Sequence, residues 1–206
     1  GEVIRQLREK IGCNFIAFWG MTECVVGMIT RLDDPIEVPC NSIGRPASDA
    51  VEIRVYSEDH SRVLGPGEPG EMAVRGPMVF GGYYKDPERT KQVFNEEGWF
   101  FSGDSVMMRE DGNICFVGRK KDIINRGGEK ISPREVEELL FTFPKVMNVA
   151  VVGMPDQCLG EKSCAYIIPK PGETITFDEV VNFLKEKRIA NFKLPERVEI
   201  VDALPM

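Results

Sequence analysis

The chain reads as an α+β protein, and three changes of texture along it say so. A helical period followed by an apolar run occupies residues 2–18, and short alternating strands with Gly/Pro punctuation fill residues 42–117. From residue 118 onward helical and strand patterns alternate. With 206 residues, 42% of them hydrophobic, the chain is long enough for one large or two small domains with a real core.

Val3, Ile4, Leu7 and Ile11 share one face of a helix over residues 2–11, and residues 14–18 then predict a buried strand. GMTE follows at that strand's carboxyl end, where open α/β sheets place ligands. Strands are predicted at VEIRVY (51–56), RVL (62–64), GEMAVRG (70–76), GWFFSGD (98–104), SVMMRE (105–110) and NICFVG (113–118). GPGEPG and REDGN separate some of them, and one helix interrupts the set around residues 87–95. Gly118 ends the last strand, and the four charges Arg119, Lys120, Lys121 and Asp122 mark a boundary.

Beyond it, residues 123–125 form a short strand, and Gly127 and Gly128 free the backbone for a tight turn or a close approach to a ligand. Ser132 at the N-cap, Pro133 at the first helical position and Glu135, placed for a capping box, start a helix over residues 133–143. Strands at 146–152 and 163–168, a helix at 176–187 and a strand at 197–201 complete the pattern, with no internal repeat and no low-complexity tract.

A net charge of −7 argues against nonspecific binding to nucleic acid or anionic membranes, since both need a positive field. The six cysteines show neither a CxxC pair nor metal-ligand spacing, which favours buried reduced thiols in a cytoplasmic protein. His60, the single histidine, lies in a polar run and reads as a surface loop residue, leaving no histidine triad or histidine metal site. No apolar run approaches the ~20 residues of a membrane span. Gly1 is followed by charged, helix-like sequence rather than a signal peptide.

GRKKDIINRGGEKISPREVE (118–137) resembles the core signature of the adenylate-forming superfamily of acyl-CoA synthetases, aryl-acid AMP ligases, adenylation domains and luciferases. FWGMTE (18–23), GEMAVRGPMVFGGY (70–83) and GWFFSGD (98–104) match further motifs of that family in its order, so the resemblance covers essentially the whole chain. It implies four segments: residues 1–41 as the end of a large α/β subdomain, 42–118 as a small distorted β-barrel, 119–122 as a hinge, and 123–206 as a mobile, truncated α+β domain.

It also implies ATP, Mg²⁺ and CoA as partners of the reaction, with a small carboxylic acid as substrate and either CoA or a carrier-protein thiol as acceptor. Trp19, Gly20, Met21, Thr22, Asp104 and Arg119 are the implied nucleotide-binding positions. Trp19 would lie on adenine, Thr22 would bond phosphate, Glu23 would hold Mg²⁺, Asp104 would bind the ribose hydroxyls, and Arg119 would reach ribose and phosphate. Lys121 is the implied pivot between two half-reactions, and Arg126, Gly127, Gly128 and Glu129 line the implied pantetheine tunnel, with Arg126 and Lys130 placed to steer CoA phosphates or an acidic carrier.

Gly20 stands where acetate-restricted relatives carry tryptophan, which implies a medium-chain, cyclic or aromatic acid. Stretches such as GEKSCAYII resemble medium-chain or alicyclic acyl-CoA ligases, while INRGGEKI and FKLPERVE also resemble dihydroxybenzoate-AMP ligases. Against the family's pattern, the chain lacks the Ser/Thr/Gly-rich phosphate loop, most of the acyl pocket and the segment with the catalytic lysine. The expectation is therefore a fragment that does not adenylate on its own. A non-catalytic nucleotide-binding or interaction module is the alternative from another class.

Overall fold

The computed structural model of the chain describes residues 2–205; Gly1 and Met206, the outer ends of the first and last expected segments, lie outside them. Two compact units result, one running to Lys120 and the other from Lys121. Each has its own sheet system and its own core.

The first unit opens with α1 (Glu2–Ile11), which leaves Val3 and Ile11 exposed. The strands β1 (Phe18–Trp19), β2 (Met28–Ile29) and β3 (Arg45–Pro46) pair antiparallel in that order, with α2 (Glu37–Asn41) between the last two. The strand predicted over residues 14–18 is shorter and shifted, and Phe18 is exposed rather than buried. The ladder stops at Ala17 because its N–H donates to the Thr30 hydroxyl instead of to a backbone carbonyl (2.9 Å).

A second sheet runs β4 (Glu52–Tyr56), β5 (Pro69–Arg75), β6 (Phe100–Met108) and β7 (Ile114–Arg119), antiparallel throughout. The turn segment 62–64 contributes only a bridge between Tyr56 and Val63. On the other edge, Ile43 and Gly44 bond to Ile114 and link the two sheets. The four strands form an open sheet and not a closed barrel, which corrects the barrel-like expectation. Inward residues Val55, Met72, Val74, Val106 and Ile114 bury a core with Met28 and Cys24. Helix α3 (Pro87–Val93) lies in the β5–β6 connection, where Asp86 caps the Arg89 N–H and Pro87 takes the first turn.

The two strands predicted at 98–104 and 105–110 are one strand, β6. It accommodates both because it bulges: Glu71 faces Ser105 while Ala73 faces Phe101, and Gly103 takes φ 74° between them. Asp104 is thereby set at the bulge with its side chain turned inward.

The second unit has the order β10 (Val146–Asp156), β11 (Gly160–Pro169), β8 (Ile124–Arg126), β9 (Glu129–Ile131), with β12 (Arg197–Ile200) parallel on β11. Helices α4 (Pro133–Leu140) and α5 (Phe177–Glu186) bury Val136, Leu140, Val180 and Leu184 against Val149, Val151, Ala165 and Ile167. Strand β9 was not anticipated; two glycines with positive φ, Gly127 (58°) and Gly128 (97°), close it against β8 as a two-residue hairpin turn.

Ser132 caps α4 by accepting the Glu135 N–H, but the Glu135 carboxylate turns to Lys193 (2.6 Å). The reciprocal capping box is found at Thr176 and Glu179, at the start of α5. The β10–β11 hairpin extends past the predicted ends because Gly153 to Asp156 continue to pair with Gly160 to Ser163.

Three cysteines, Cys24, Cys40 and Cys164, are buried, whereas Cys13 and Cys158 are exposed, against the expectation of burial. Cys13 follows the end of α1, and Cys158 sits at the β10–β11 tip, where no layer covers it. No helix among the described residues is long and apolar enough to cross a membrane.

Candidate functional site

In the first unit, β6 and β7 place Asp104 directly opposite Arg119. Asp104 is 1% exposed; its Oδ2 accepts the Trp19 indole N–H at 2.7 Å, and Arg119 Nε lies 3.0 Å from Oδ1. Arg119 is not aligned to donate along that approach, so Oδ1 is a buried acceptor with no hydrogen bond among the described residues. Burial pushes the Asp104 carboxyl up from its ordinary range, while the Trp19 hydrogen bond and the Arg119 charge pull the other way. The arrangement is a carboxylate held ready to accept a hydroxyl donor.

Trp19 itself is 8% exposed and packs in the first unit's core, with its ring against Gly27. In this structure its polar edge serves Asp104. Between β1 and β2 the loop carrying Gly20, Met21, Thr22 and Glu23 is pinned by Cys24 N–H to Met21 O (3.1 Å) and Gly27 N–H to Trp19 O (3.0 Å). Val25 takes φ 50°, an uncommon conformation for a β-branched residue, and turns its carbonyl toward Gly20. A Cβ on Gly20 would stand 1.7 Å from that oxygen, so loop closure alone demands glycine there, independent of any acid the protein accepts.

Thr22 is exposed and Glu23 half-buried. Phe80 N–H donates to Glu23 O at 2.7 Å, and the Tyr83 hydroxyl donates to Glu23 Oε1 at 2.9 Å. No cluster of three metal-ligating side chains occurs among the described residues.

At the end of the first unit, Lys120 Nζ donates to Glu71 Oε2 (2.6 Å), and His60 Nε2 meets the same oxygen at 2.7 Å. His60 also stacks on Phe101 with centroids 3.9 Å apart; it is exposed in the turn between β4 and β5, the surface loop position expected, and from there it contacts both β5 and β6. Burial raises the Glu71 carboxyl, and the bonds and charges of Lys120 and His60 outweigh it, holding the group below its ordinary range. Lys121, the next residue, is exposed on a single 3₁₀ turn, Lys120–Asp122.

In the second unit, Arg126 and Glu129 flank the Gly127–Gly128 turn as a directly paired couple. Arg126 is salt-bridged to Glu196, whose other oxygen accepts the Ser163 N–H at 3.0 Å. Its charge is therefore already matched within the unit, which weakens the expectation that it steers phosphates. The Gly127 N–H donates to Leu159 O (2.7 Å), tying the turn to the β10–β11 tip, while Gly128 and Glu129 are exposed.

Sequence reasoning gave no role to Tyr83, Glu71 or Glu196. Glu71 carried a readable signal, a lone carboxylate in the run GEMAV whose neighbours are apolar. Tyr83 and Glu196 fell inside the motifs GEMAVRGPMVFGGY and FKLPERVE, but their partners, 60 and 70 residues away in sequence, could not be read from them.

Comparison with known proteins identifies the family. The family model for AMP-binding enzymes matches residues 1–84, and the one for the AMP-binding enzyme C-terminal domain matches residues 135–206. The chain is 44% identical over 204 residues to a 2,3-dihydroxybenzoate-AMP ligase of Bacillus subtilis, covering 99% of this chain and 37% of that protein. It is 43% identical to a medium-chain fatty-acid–CoA ligase of Escherichia coli, covering 99% of this chain and 36% of that protein. Among solved structures, ATP-bound MatB from Rhodopseudomonas palustris superposes with a TM-score of 0.92 at 33% identity, over 99% of this chain and 40% of that one. The chain thus spans little more than a third of the curated relatives it matches. Two family models, the ordered motifs and the shared fold agree: the chain belongs to the AMP-binding enzymes of the adenylate-forming superfamily.

Proposed function

We propose that the protein bearing this chain is an AMP-forming acid–thiol ligase of the cytoplasm, which activates a carboxylic acid with ATP and passes the acyl group to CoA. The observation that carries this reading is the buried Asp104, held by Trp19 and facing Arg119, with one carboxylate oxygen lacking a donor. In this reading a ribose hydroxyl is the donor that this oxygen lacks.

In the first half-reaction a carboxylate oxygen of the acid attacks the α-phosphorus of ATP, the bond to the β-phosphate oxygen breaks, and pyrophosphate leaves. The protein's work is positioning and charge matching. Asp104 and Arg119 hold the ribose, Thr22 donates its hydroxyl to phosphate, and the Trp19 ring borders the base beside Gly20 and Met21. Glu23 suits Mg²⁺, which commonly takes one or two protein carboxylates and completes its shell with phosphate oxygens and water; bound there, it neutralises phosphate charge.

In the second half-reaction the thiol sulfur attacks the acyl carbon, the mixed-anhydride bond breaks, AMP leaves, and the thiol proton passes to solvent. Lys121 is the pivot between the two steps. The turn at Gly127 and Gly128, flanked by Arg126 and Glu129, admits the thin pantetheine arm, since glycine leaves the backbone bare. A medium-chain or aromatic acid is the reading that the names of the medium-chain fatty-acid–CoA ligase and the 2,3-dihydroxybenzoate-AMP ligase support, since Gly20 no longer bears on it.

A second reading, an aryl-acid AMP ligase that loads a carrier-protein thiol, is favoured by the 44% identity to the dihydroxybenzoate ligase. The test is AMP release by the full-length protein from ATP and Mg²⁺ with medium-chain, alicyclic and hydroxybenzoic acids, each with and without CoA. CoA-dependent turnover supports the first reading. Pyrophosphate exchange with a hydroxybenzoate and no response to CoA supports the second, and no exchange with any acid leaves a non-catalytic module.

A further inference from the structure

Glu23 is held from two sides by one short segment. The Phe80 N–H bonds its carbonyl at 2.7 Å and the Tyr83 hydroxyl bonds Oε1 of its carboxylate at 2.9 Å. That segment is fixed in turn: the Tyr83 N–H donates to the Thr90 hydroxyl (2.9 Å), the Arg89 guanidinium lies 4.2 Å over the Tyr83 ring, and the Phe80 ring packs edge-on at 4.9 Å. Thr90 and Arg89 belong to α3, whose start is locked by the Asp86 cap. A helix, a ring stack and a hydroxyl thus lead in unbroken contact to one carboxylate oxygen.

We propose that Tyr83 is the positioning residue for Glu23, fixing its carboxylate so that Oε2 is presented to a divalent cation as a single oriented ligand. The proposal rests on the reading of Glu23 as the Mg²⁺ ligand given above. One observation and one general rule support it. The hydroxyl occupies Oε1 only, and Oε2 has no hydrogen bond among the described residues, which suits the single-oxygen, octahedral ligation that Mg²⁺ favours. Residues that orient metal ligands through hydrogen bonds typically change metal affinity about tenfold or more when removed.

The test uses the full-length protein with α,β-methylene-ATP, which cannot be adenylated, and Mn²⁺ as a paramagnetic probe whose free concentration is read by electron paramagnetic resonance. Tyr83→Phe keeps the ring against Arg89 and Phe80 and removes only the hydroxyl. The expected result is about tenfold weaker Mn²⁺ binding, with an unchanged Tm and unchanged metal-free nucleotide affinity. Glu23→Gln separates the two levels. If Glu23→Gln weakens Mn²⁺ binding and Tyr83→Phe does not, the positioning role is overturned while the metal assignment stands. If Glu23→Gln also leaves Mn²⁺ binding intact, the assignment of Glu23 as ligand fails, and Tyr83 has nothing to position.

Discussion

At the scale of single residues, the chemistry concentrates where a polar group is buried against the usual preference. Asp104 is such a group, and its stability cost has a definite sign. Because burial raises its folded-state value, the native state binds the proton more tightly than the unfolded chain. Its contribution is therefore full below the unfolded carboxyl range, about pH 4, and is lost as pH rises through the higher folded value. Asp104→Asn removes the ionisable group while keeping an acceptor for Trp19. We expect this variant to melt higher than the parent at neutral pH, with the gap closing toward pH 4, and to bind nucleotide more weakly, as happens when a strained functional site is relaxed. Thermal melts across that pH range check it; a variant less stable at pH 7 than at pH 4 relative to the parent contradicts it. The sequence marked Asp104, Glu23 and Arg119 through motif spacing. It did not give the partners of Tyr83 or Glu196, since hydrogen bonds across 60 or 70 residues leave no local pattern.

At the scale of elements, the sequence was read most faithfully where local rules dominate and least where pairing decides. Helix α1 falls on its predicted bounds, and α4 begins at Pro133 because Ser132 and Pro133 fix its start. Strand β9 escaped notice because three residues, Glu129, Lys130 and Ile131, carry no alternation long enough to read; only their pairing with β8 makes them a strand. The merging of two predicted strands into β6 has the same origin, since the break placed between Asp104 and Ser105 is a bulge that only pairing with β5 reveals. The glycine turn between β8 and β9 supplies a prediction. No atom lies within 4 Å of a Cβ added to Gly128, yet its φ of 97° disfavours any other residue. Gly128→Val should cost about 1–2 kcal/mol through backbone strain. In the full-length protein it should lower thioester formation while pyrophosphate exchange persists. An equal fall in both half-reactions contradicts a role for this turn in the thiol step alone.

At the scale of the whole molecule, the chain is two units with separate cores, and both of its tryptophans, Trp19 and Trp99, are buried in the first. Indole fluorescence therefore reports on the first unit alone. Leu140 is fully buried in the second core, and Leu140→Ala should cost about 2–5 kcal/mol there. A lower unfolding midpoint by far-UV circular dichroism with an unmoved fluorescence midpoint is the expected result; a common shift contradicts independent cores. Composition and motif order made the α+β class and the family legible. The barrel-like expectation failed because closure depends on edge pairing, and the edges of this sheet meet a turn and a linking segment instead.

The proposed function turns on Asp104 as the group that receives the sugar of a nucleotide. Calorimetric binding of ATP and of 2′,3′-dideoxy-ATP to the full-length protein and to its Asp104→Ala variant tests it most directly. The parent should bind ATP at least about tenfold more tightly than the dideoxy analogue, as hydrogen bonds to a charged group warrant, and the variant should bind the two alike. Equal affinities in the parent, or undiminished discrimination in the variant, would contradict it.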